Sequence, residues 1–289
     1  MYKIKIFSSF CSSDKAKEAV EELCIFPSED CSNVSFVGSN CEDYTHVIIW
    51  NTATPKIPEK IPKENVIGFA LEPPIFLGLT PMFIEYAKKH ISKYYLGSAD
   101  KLPPPFISGN AYLPYSIPQS PSCFKTKKRL MSMIVSGKTM APGHSYRHQL
   151  MENLLSRNFP IDFYGNGMSV GKYKSYHSEN IKGKFDKYEP YNDYLFHICI
   201  ENYQTDDYFS EKIINPLLTE SIPLYWGCKK IDRYFPYSII PLSGTIKKDL
   251  TIIYQVLQNP NRFYRPTNFK EIEQKVSLAK NIPDIFSKD

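Results

Sequence analysis

The chain has 289 residues and a mass of 33.4 kDa, a length typical of about two domains. Apolar residues make up 42% of it and charged residues 22%, which excludes a wholly disordered chain, a collagen-like chain or a coiled coil. Lysine and arginine number 35 against 30 aspartates and glutamates, so the formal charge is +5. This charge suits an anionic ligand but falls short of the dense basic surface that nucleic-acid-binding proteins carry.

The sequence favours a cytoplasmic protein, in the host cytoplasm if the source is a virus. No stretch approaches the roughly 18 consecutive apolar residues that a membrane-spanning helix needs. Met1–Phe7 is typical of a strand and lacks the apolar core of a signal peptide. Seven cysteines without a Cys-x-x-Cys pair favour free thiols in a reducing compartment, although the four in residues 11–41 leave one or two local disulfides as an alternative.

The first third of the chain alternates strand-like and helix-like segments. Ser13–Leu23 and Pro81–His90 have the composition of helices, and the first begins with good N-cap residues. Short apolar or β-branched runs predict strands at Lys3–Phe10, Asn33–Val37, Val47–Trp50 and Asn65–Leu71. Strands separated by helices predict a parallel sheet built from βαβ units.

A segment with six prolines between Leu102 and Pro121 predicts an extended connector. The alternation then resumes. The predicted strands are Leu130–Val135, Ile161–Tyr164, Tyr194–Ile200 and Pro223–Gly227, and the predicted helices are His144–Arg157, Ser210–Ser221 and Ile246–Leu257. The sequence therefore predicts an α/β fold with two Rossmann-like domains, residues 1–120 and 121–266, whose facing carboxyl strand ends form a ligand cleft. Residues 267–289 would form a tail that packs back on the first domain.

Phe196–Gly227 carries the most informative pattern. A buried strand delivers Glu201 and Asn202 to a loop, and the loop leads to a helix that opens with Ser210-Glu211-Lys212. A helix N-terminus is a ready anion site, and a lysine in its first turn strengthens it. A carboxylate there can also bind ribose hydroxyls. These are parts of a nucleoside diphosphate site, and equally those of an ordinary strand–loop–helix unit with a capped helix.

This segment resembles the signature of glycosyltransferase family 10, the α-1,3/4-fucosyltransferases, which runs F-x-x-x-F-E-N-S, a short loop, G/D-Y-x-T/S-E-K, an apolar helix and V/I-P-V-x-x-G. The matching residues fall at the family's spacing without a gap: Glu201, Asn202, Tyr208, Ser210, Glu211, Lys212, Ile222, Pro223 and Gly227. The likeness extends over about residues 130–266 through Ser136, Arg147, the run Ile161–Gly165 and the run Asn259–Tyr264. In the first half, Glu72 in Ala70-Leu71-Glu72-Pro73-Pro74 resembles a family element whose glutamate is the proposed catalytic base.

The resemblance implies a GT-B fold and an inverting transfer of L-fucose from GDP-fucose to a hydroxyl of a glycan acceptor. Glu72 would be the base; otherwise it is a solvated loop carboxylate. Arg147 and Lys212 would hold the diphosphate, Glu211 the ribose, and Asn202 and Tyr208 would line the donor pocket. The donor site could also include Glu201, Ser210 and Lys187. Lys187 corresponds only roughly in position to a lysine of the family. No cofactor and no essential metal would be required, and no nucleic acid partner is expected.

Two departures from the family pattern concern the donor sugar. Tyr203 stands where the family has serine, and Glu220-Ser221 where it has small residues, both expected near that sugar. The alternatives are therefore a transferase for another GDP- or UDP-sugar, or a non-catalytic module that binds a glycan or a nucleotide.

Other patterns have competing interpretations. Asp206-Asp207 resembles half of a metal motif but is better explained as a solvated loop or a helix cap. His144 and His148 could pair on zinc but lack a third ligand, so a helix face near Arg147 is favoured, where His148 could flank the phosphates. Glu211 and Glu220 are nine residues apart, not the eight of retaining GT-B enzymes, which favours inversion. The tyrosine-rich loop of residues 173–194 is either an acceptor surface or packing.

Overall fold

The computed structural model of the chain describes residues 1–23, 33–109, 126–169, 179–265 and 267–287. The chain folds into two compact units. The first comprises Met1–Ile117, Thr205–Phe209 and Gln274–Asp289, and the second comprises Pro118–Gln204 and Ser210–Glu273. The chain thus passes from the second unit into the first for five residues and returns at Ser210.

The first unit is built on a six-stranded parallel sheet with the strand order β2-β1-β3-β4-β5-β6. Its strands are β1 (Tyr2–Ser8), β2 (Val34–Val37), β3 (His46–Trp50), β4 (Val66–Phe69), β5 (Lys93–Leu96) and β6 (Phe106–Ser108). Its helices are α1 (Ser13–Leu23), α2 (Pro74–Leu77), α3 (Pro81–His90) and α10 (Leu278–Ile285). β3 and β4 are buried on both faces, as expected for central strands of a parallel sheet covered by helices.

The second unit repeats this architecture with a parallel sheet in the order β12-β11-β10-β7-β8-β9. Its strands are β7 (Arg129–Ile134), β8 (Ile161–Tyr164), β9 (Ile181–Gly183), β10 (Tyr194–Ile200), β11 (Ile222–Trp226) and β12 (Ile240–Pro241). Its helices are α4 (Pro142–Ser156), α5 (Glu189–Asn192), α6 (Glu211–Leu218), α7 (Ile246–Gln258) and α8 (Pro260–Phe263), and α9 (Phe269–Val276) ends in the first unit.

The core of the second unit lies between this sheet and its helices. Leu150, Leu154 and Leu155 of α4 are buried, as their spacing predicts, and they belong to one apolar cluster with strand residues such as Phe163 and Phe196. Because all strands run parallel, their carboxyl ends meet at one edge of the sheet. The loops that follow β7, β10 and β11 therefore start at a common edge.

The predicted strands and helices are present with end points shifted by a few residues. The structure adds β5, β6, β9 and β12, which the sequence analysis missed. The proline-rich connector was predicted too long, because β6 at Phe106–Ser108 pairs with β5 and extends the first sheet. The rest of that connector, residues 110–121, and residues 173–178 of the tyrosine-rich loop lie outside the described residues, as do Cys24, Cys31 and Cys123.

The domain boundaries differ from the predicted ones at two places. Thr205–Phe209, expected in the second domain, belongs to the first unit because the Asp207 N–H donates to the Gly97 carbonyl at 3.0 Å and Tyr208 packs against Gly97. Residues 267–273 belong to the second unit, and from Gln274 onward the chain belongs to the first. Within the described ranges, no helix has the length and apolarity needed to cross a membrane.

Candidate functional site

The carboxyl end of β10 brings several predicted site residues of the second unit together. Glu201 and Asn202 follow the strand directly, and the first turn of α4 packs against their backbone. The Gly143 N–H donates to the Asn202 carbonyl at 3.0 Å. A Cβ at Gly143 would overlap the Glu201 carbonyl oxygen, so only glycine allows this approach. Sequence reasoning missed Gly143, although a Pro-Gly pair at a helix start is a detectable signal.

Glu201 is fully buried and organises the start of α6. Its carboxylate accepts hydrogen bonds from the backbone N–H of Ser210 at 2.9 Å and from the Ser210 hydroxyl at 2.7 Å. The Lys212 ammonium lies 3.7 Å from the same carboxylate. Burial raises the pKa of Glu201, although the charge of Lys212 and the bonds from Ser210 oppose that shift. A carboxylate so fully engaged inside the protein holds other residues in place.

Lys212 is the cation of the first turn of α6. Its ammonium donates to Glu211 at 2.9 Å and to the Ser210 hydroxyl at 3.2 Å, and its side chain is 25% exposed. Burial alone would lower the pKa of Lys212, but the carboxylates of Glu211 and Glu201 outweigh burial and raise it. Glu211 itself is half-exposed. The ammonium is therefore charged, fixed in position and partly accessible.

Arg147 projects from α4 and is 5% exposed. Its Nη2 donates to the Ile200 carbonyl at 2.5 Å and to Asn202 Oδ1 at 3.3 Å, and its Nη1 lies 3.5 Å from the Ser136 hydroxyl. Burial lowers the pKa of the guanidinium, and the negative charges of Glu201 and Glu211 offset this only in part. Among the described residues no carboxylate lies within 4.0 Å of it, so its protein partners are neutral oxygens.

His144 lies on the helix face near Arg147 that the sequence analysis favoured for it, and it contacts this cluster. Its Nδ1 accepts the Ala141 N–H at 3.2 Å, and its ring interacts with the Asn202 side chain. Burial lowers the pKa of His144, and the nearby cations Arg147, Lys138 and Lys212 lower it further. The neutral imidazole and Arg147 together turn Asn202 Oδ1 inward.

Glu72 and Tyr208 belong to the first unit. Glu72 is exposed in the loop between β4 and α2. Tyr208 is buried, and its hydroxyl donates to the Leu71 carbonyl at 3.3 Å. The prediction grouped Tyr208 with the donor-pocket residues, but its observed hydrogen bond is to the residue before Glu72.

The remaining predicted positions are not joined to the cluster of Arg147 and Lys212. Lys187 is exposed in the turn between β9 and α5, and the described residues give its ammonium no ion pair with that cluster. Ser221 immediately precedes β11, and its hydroxyl donates to the Tyr194 carbonyl at 2.6 Å, at the amino edge of the sheet. That Glu220-Ser221 lies near the donor sugar stays a prediction. Tyr203, by contrast, directly follows Asn202 at that edge.

No group of three histidine, cysteine, aspartate or glutamate side chains that could hold a metal ion occurs in the described parts of the chain. The His148 ring lies 3.2 Å from the Lys138 carbonyl, and the Asp207 backbone binds Gly97.

Comparison with known families identifies this part of the chain. Residues 124–250 match the model of the C-terminal domain of glycosyltransferase family 10 (fucosyltransferase). The resemblance to this family, predicted from the Glu201–Lys212 signature, is thereby confirmed, and the matching residues include every member of the buried cluster described above.

Curated relatives agree with this assignment. The chain is 30% identical over 119 residues to a putative fucosyltransferase-like protein of Arabidopsis thaliana, covering 41% of this chain and 21% of that protein. It is 31% identical over 93 residues to a putative fucosyltransferase of Acanthamoeba polyphaga mimivirus, covering 31% and 16%. It is 25% identical over 174 residues to an alpha-(1,3)-fucosyltransferase of Helicobacter pylori, covering 57% and 30%. The matches thus span less than a third of each relative.

Solved structures extend the likeness to the first unit. A crystal structure of an alpha1,3-fucosyltransferase with GDP-fucose covers 100% of this chain and 91% of its own, with 16% identity and a TM-score of 0.52. A second structure, with GDP, has 14% identity and a TM-score of 0.53 at the same coverage. Similarity at this level concerns the fold, and the fold of the chain is GT-B, as predicted.

Proposed function

We propose that this chain is an inverting glycosyltransferase that moves L-fucose from GDP-fucose to a hydroxyl of a glycan acceptor. The proposal is supported by the family 10 domain and by the names of the proteins that the chain resembles. Nucleotide binding belongs to the second unit and acceptor activation to Glu72 of the first. Both substrates are small molecules or glycans, and neither step needs a bound metal.

The observation that carries the proposal is the environment of Arg147. A buried cation is costly unless an anion compensates it, and the described residues supply Arg147 only with neutral oxygens. A guanidinium offers a planar fork that matches phosphate oxygens. An anionic ligand such as a diphosphate is therefore the natural counter-ion of Arg147, and the charged Lys212 at the start of α6 would share it.

In the proposed reaction, the acceptor hydroxyl oxygen attacks the anomeric carbon of fucose while Glu72 takes the hydroxyl proton. The new carbon–oxygen bond forms as the bond between that carbon and the β-phosphate oxygen breaks, and GDP leaves with the electron pair. Arg147 and Lys212 would neutralise the charge that grows on the leaving phosphate. The half-exposed Glu211 would accept hydrogen bonds from the ribose.

The positions of Glu211 and Glu220 support a mechanism that inverts the anomeric carbon. Glu211 is the first residue of α6, and Glu220 lies two residues past its end. A helix of eight residues is about 12 Å long, so these carboxylates lie at opposite ends of α6. Their spacing of nine residues differs from the eight of retaining GT-B enzymes, which favours inversion.

The first test is a thermal-shift and calorimetric screen of GDP, UDP, GDP-fucose, GDP-mannose and UDP-sugars, followed by transfer to a glycan array with the donor that binds. A ligand specific for the native state stabilises it by about 2.7 kcal/mol at a hundredfold excess over its Kd. We expect GDP and GDP-fucose to stabilise the protein selectively, and fucose to appear on the array.

Each other outcome is informative. Stabilisation by UDP compounds, or transfer of another sugar from a GDP-sugar, would contradict the assignment of fucose as the donor sugar. Tyr203, which stands where the family has serine, is the reason to test these donors. Binding of GDP-fucose without any transfer would favour a binding module. A response to no nucleotide would contradict the proposal altogether.

A further inference from the structure

The peptide units around Leu71 are fixed on both sides. The Leu71 N–H donates to Asn51 Oδ1 at 2.8 Å, and the Leu71 carbonyl accepts the Tyr208 hydroxyl at 3.3 Å. Leu71 is the residue immediately before Glu72. Each polar group of the Leu71 backbone is thus held by a side chain from elsewhere in the first unit.

Asn51 is itself a rigid anchor. It follows β3 with a φ of 52°, a left-handed conformation that asparagine tolerates better than most residues. Its N–H donates to the Phe69 carbonyl at 2.9 Å, and its carbonyl accepts the Tyr94 hydroxyl at 2.8 Å. The side-chain oxygen that binds Leu71 therefore extends from a backbone whose N–H and carbonyl are both hydrogen-bonded.

Tyr208 is equally well held. Its N–H donates to the Thr205 hydroxyl at 2.9 Å, and its Cβ lies where a side chain at Gly97 would be. The side chain is 5% exposed. Tyr208 arrives from the five-residue segment Thr205–Phe209 that the chain sends into the first unit. In sequence it stands two residues before Ser210, the N-cap of α6.

The chain after Glu72 is restricted by proline. Pro73 and Pro74 follow directly, with fixed φ angles, and Pro74 begins α2. Glu72 is therefore an exposed carboxylate on a backbone that is hydrogen-bonded before it and ring-constrained after it. A solvated loop residue needs no such support.

We infer that Tyr208 and Asn51 form a clamp on Leu71 that positions the Glu72 carboxylate as the base of the proposed transfer. Tyr208 is then a positioning residue: its hydroxyl is bonded to the Leu71 carbonyl and acts on the reaction only through Glu72. A general base must lie within hydrogen-bond reach of the proton that it takes, and a misplacement of about 1 Å can cost up to a hundredfold in rate. This inference rests on the proposed function.

The structural part is tested by amide hydrogen exchange of the peptides that cover residues 70–78 in Tyr208→Phe, which removes only the hydroxyl. Tyr86→Phe is the matched control, because the Tyr86 hydroxyl also donates to a backbone carbonyl of the first unit, that of Pro55, at 2.8 Å. We expect exchange at Leu71 and Glu72 to accelerate about fivefold in Tyr208→Phe and to stay unchanged in Tyr86→Phe. Unchanged exchange in Tyr208→Phe overturns the clamp whether or not the wild type is active.

The catalytic part is tested by steady-state kinetics with GDP-fucose. We expect kcat to fall about tenfold in Tyr208→Phe while the KM for GDP-fucose stays within about twofold. In a Glu72→Gln background the same change should have no further effect on kcat, because residues that act as a unit are not additive. A raised KM with unchanged kcat would instead make Tyr208 a donor-binding residue and overturn the inference. Absence of turnover in the wild type would overturn the proposed function, and the exchange result would still decide the clamp.

Discussion

At the carboxyl edge of the second sheet, charged side chains are buried and hydrogen-bonded to one another or to the backbone. At the carboxyl edge of the first sheet, by contrast, Glu72 is exposed, and hydrogen bonds between neutral groups hold the backbone that carries it. Arg147 is 5% exposed and Glu201 fully buried. Buried charges cannot rearrange without losing their partners, so the second unit presents a preformed field to an anion. An exposed carboxylate on a fixed backbone remains accessible to substrates of different shape.

The two units also differ in how far they resemble known sequences. The family 10 match covers residues 124–250, which include the buried network. Each member of that network is constrained by several others, so few substitutions are compatible with it. Glu72 is supported through the main-chain N–H and carbonyl of Leu71, which every residue except proline would supply at that position. This difference between the units can be tested with variants that change the carboxyl edge of one sheet and leave that of the other sheet intact.

The largest effect is expected for Glu72→Gln. Loss of the base should lower kcat about a thousandfold, within the usual range for general base catalysis, while the Kd for GDP measured by calorimetry stays unchanged. Glu64→Gln is the matched control, because Glu64 is exposed in the same unit but precedes β4, whereas Glu72 follows it. Full activity of Glu72→Gln would remove Glu72 from the mechanism.

The next largest effect is expected for Arg147→Met, which keeps the length and apolar stem of the side chain. The Kd for GDP should rise about a hundredfold, because a desolvated guanidinium–phosphate pair is lost. Arg157→Met, at the exposed end of the same helix, should leave the Kd unchanged. An unchanged Kd in Arg147→Met would mean that the anion of this site binds elsewhere.

Local sequence patterns predicted the elements that carry the buried network. The apolar run of Tyr194–Ile200 identified β10, and Ser210 followed by Glu211-Lys212 identified the start of α6 because a serine N-cap is a local signal. These patterns could not predict where the Glu201 side chain points. It could have faced a ligand, and only its hydrogen bonds to Ser210 in the folded structure show that it faces inward.

Long-range pairing accounts for the other misses. β6 and β12 have three and two residues, too few for a recognisable period, and they exist because a neighbouring strand offers hydrogen bonds. Thr205–Phe209 was assigned to the wrong unit because nothing within these five residues indicates that Gly97 leaves room for Tyr208. Close approach between distant segments is decided by the tertiary fold.

A smaller effect, on stability, is expected for Gly143→Ala. The new Cβ would overlap the Glu201 carbonyl oxygen and should lower the free energy of unfolding of the second unit by about 2 kcal/mol. At Gly137, which precedes the same helix, the nearest atoms to an added Cβ are 3.8 Å and 3.9 Å away, so Gly137→Ala should be close to neutral. The chain has two tryptophans, Trp50 in the first unit and Trp226 in the second, so urea unfolding followed by Trp226 fluorescence in a Trp50→Phe background reports the second unit alone. Equal effects of both glycine variants would contradict the close packing of α4 on β10.

The smallest effect concerns pH and the buried His197 of β10. Burial lowers the pKa of His197 to about 3, and its Nδ1 lies 2.7 Å from the Ser132 hydroxyl. Between the unfolded-state pKa of about 6.5 and that value, the unfolded chain binds one more proton than the native one, so His197 lowers stability as the pH falls, by at most about 1.4 kcal/mol per pH unit.

His197→Phe keeps a ring against Tyr191 and removes the titration. At pH 7 it should be about 1 kcal/mol less stable than the wild type because the bond to Ser132 is lost. On acidification the wild type should lose about 2 kcal/mol by pH 5, so the two unfolding curves read from Trp226 should cross near pH 6 and the variant should be the more stable protein at pH 5 by about 1 kcal/mol. The curves read from Trp50 should shift equally with pH in both proteins. Parallel curves at Trp226 would mean that His197 titrates normally, and that the interior of the second sheet is open enough to accept a charge.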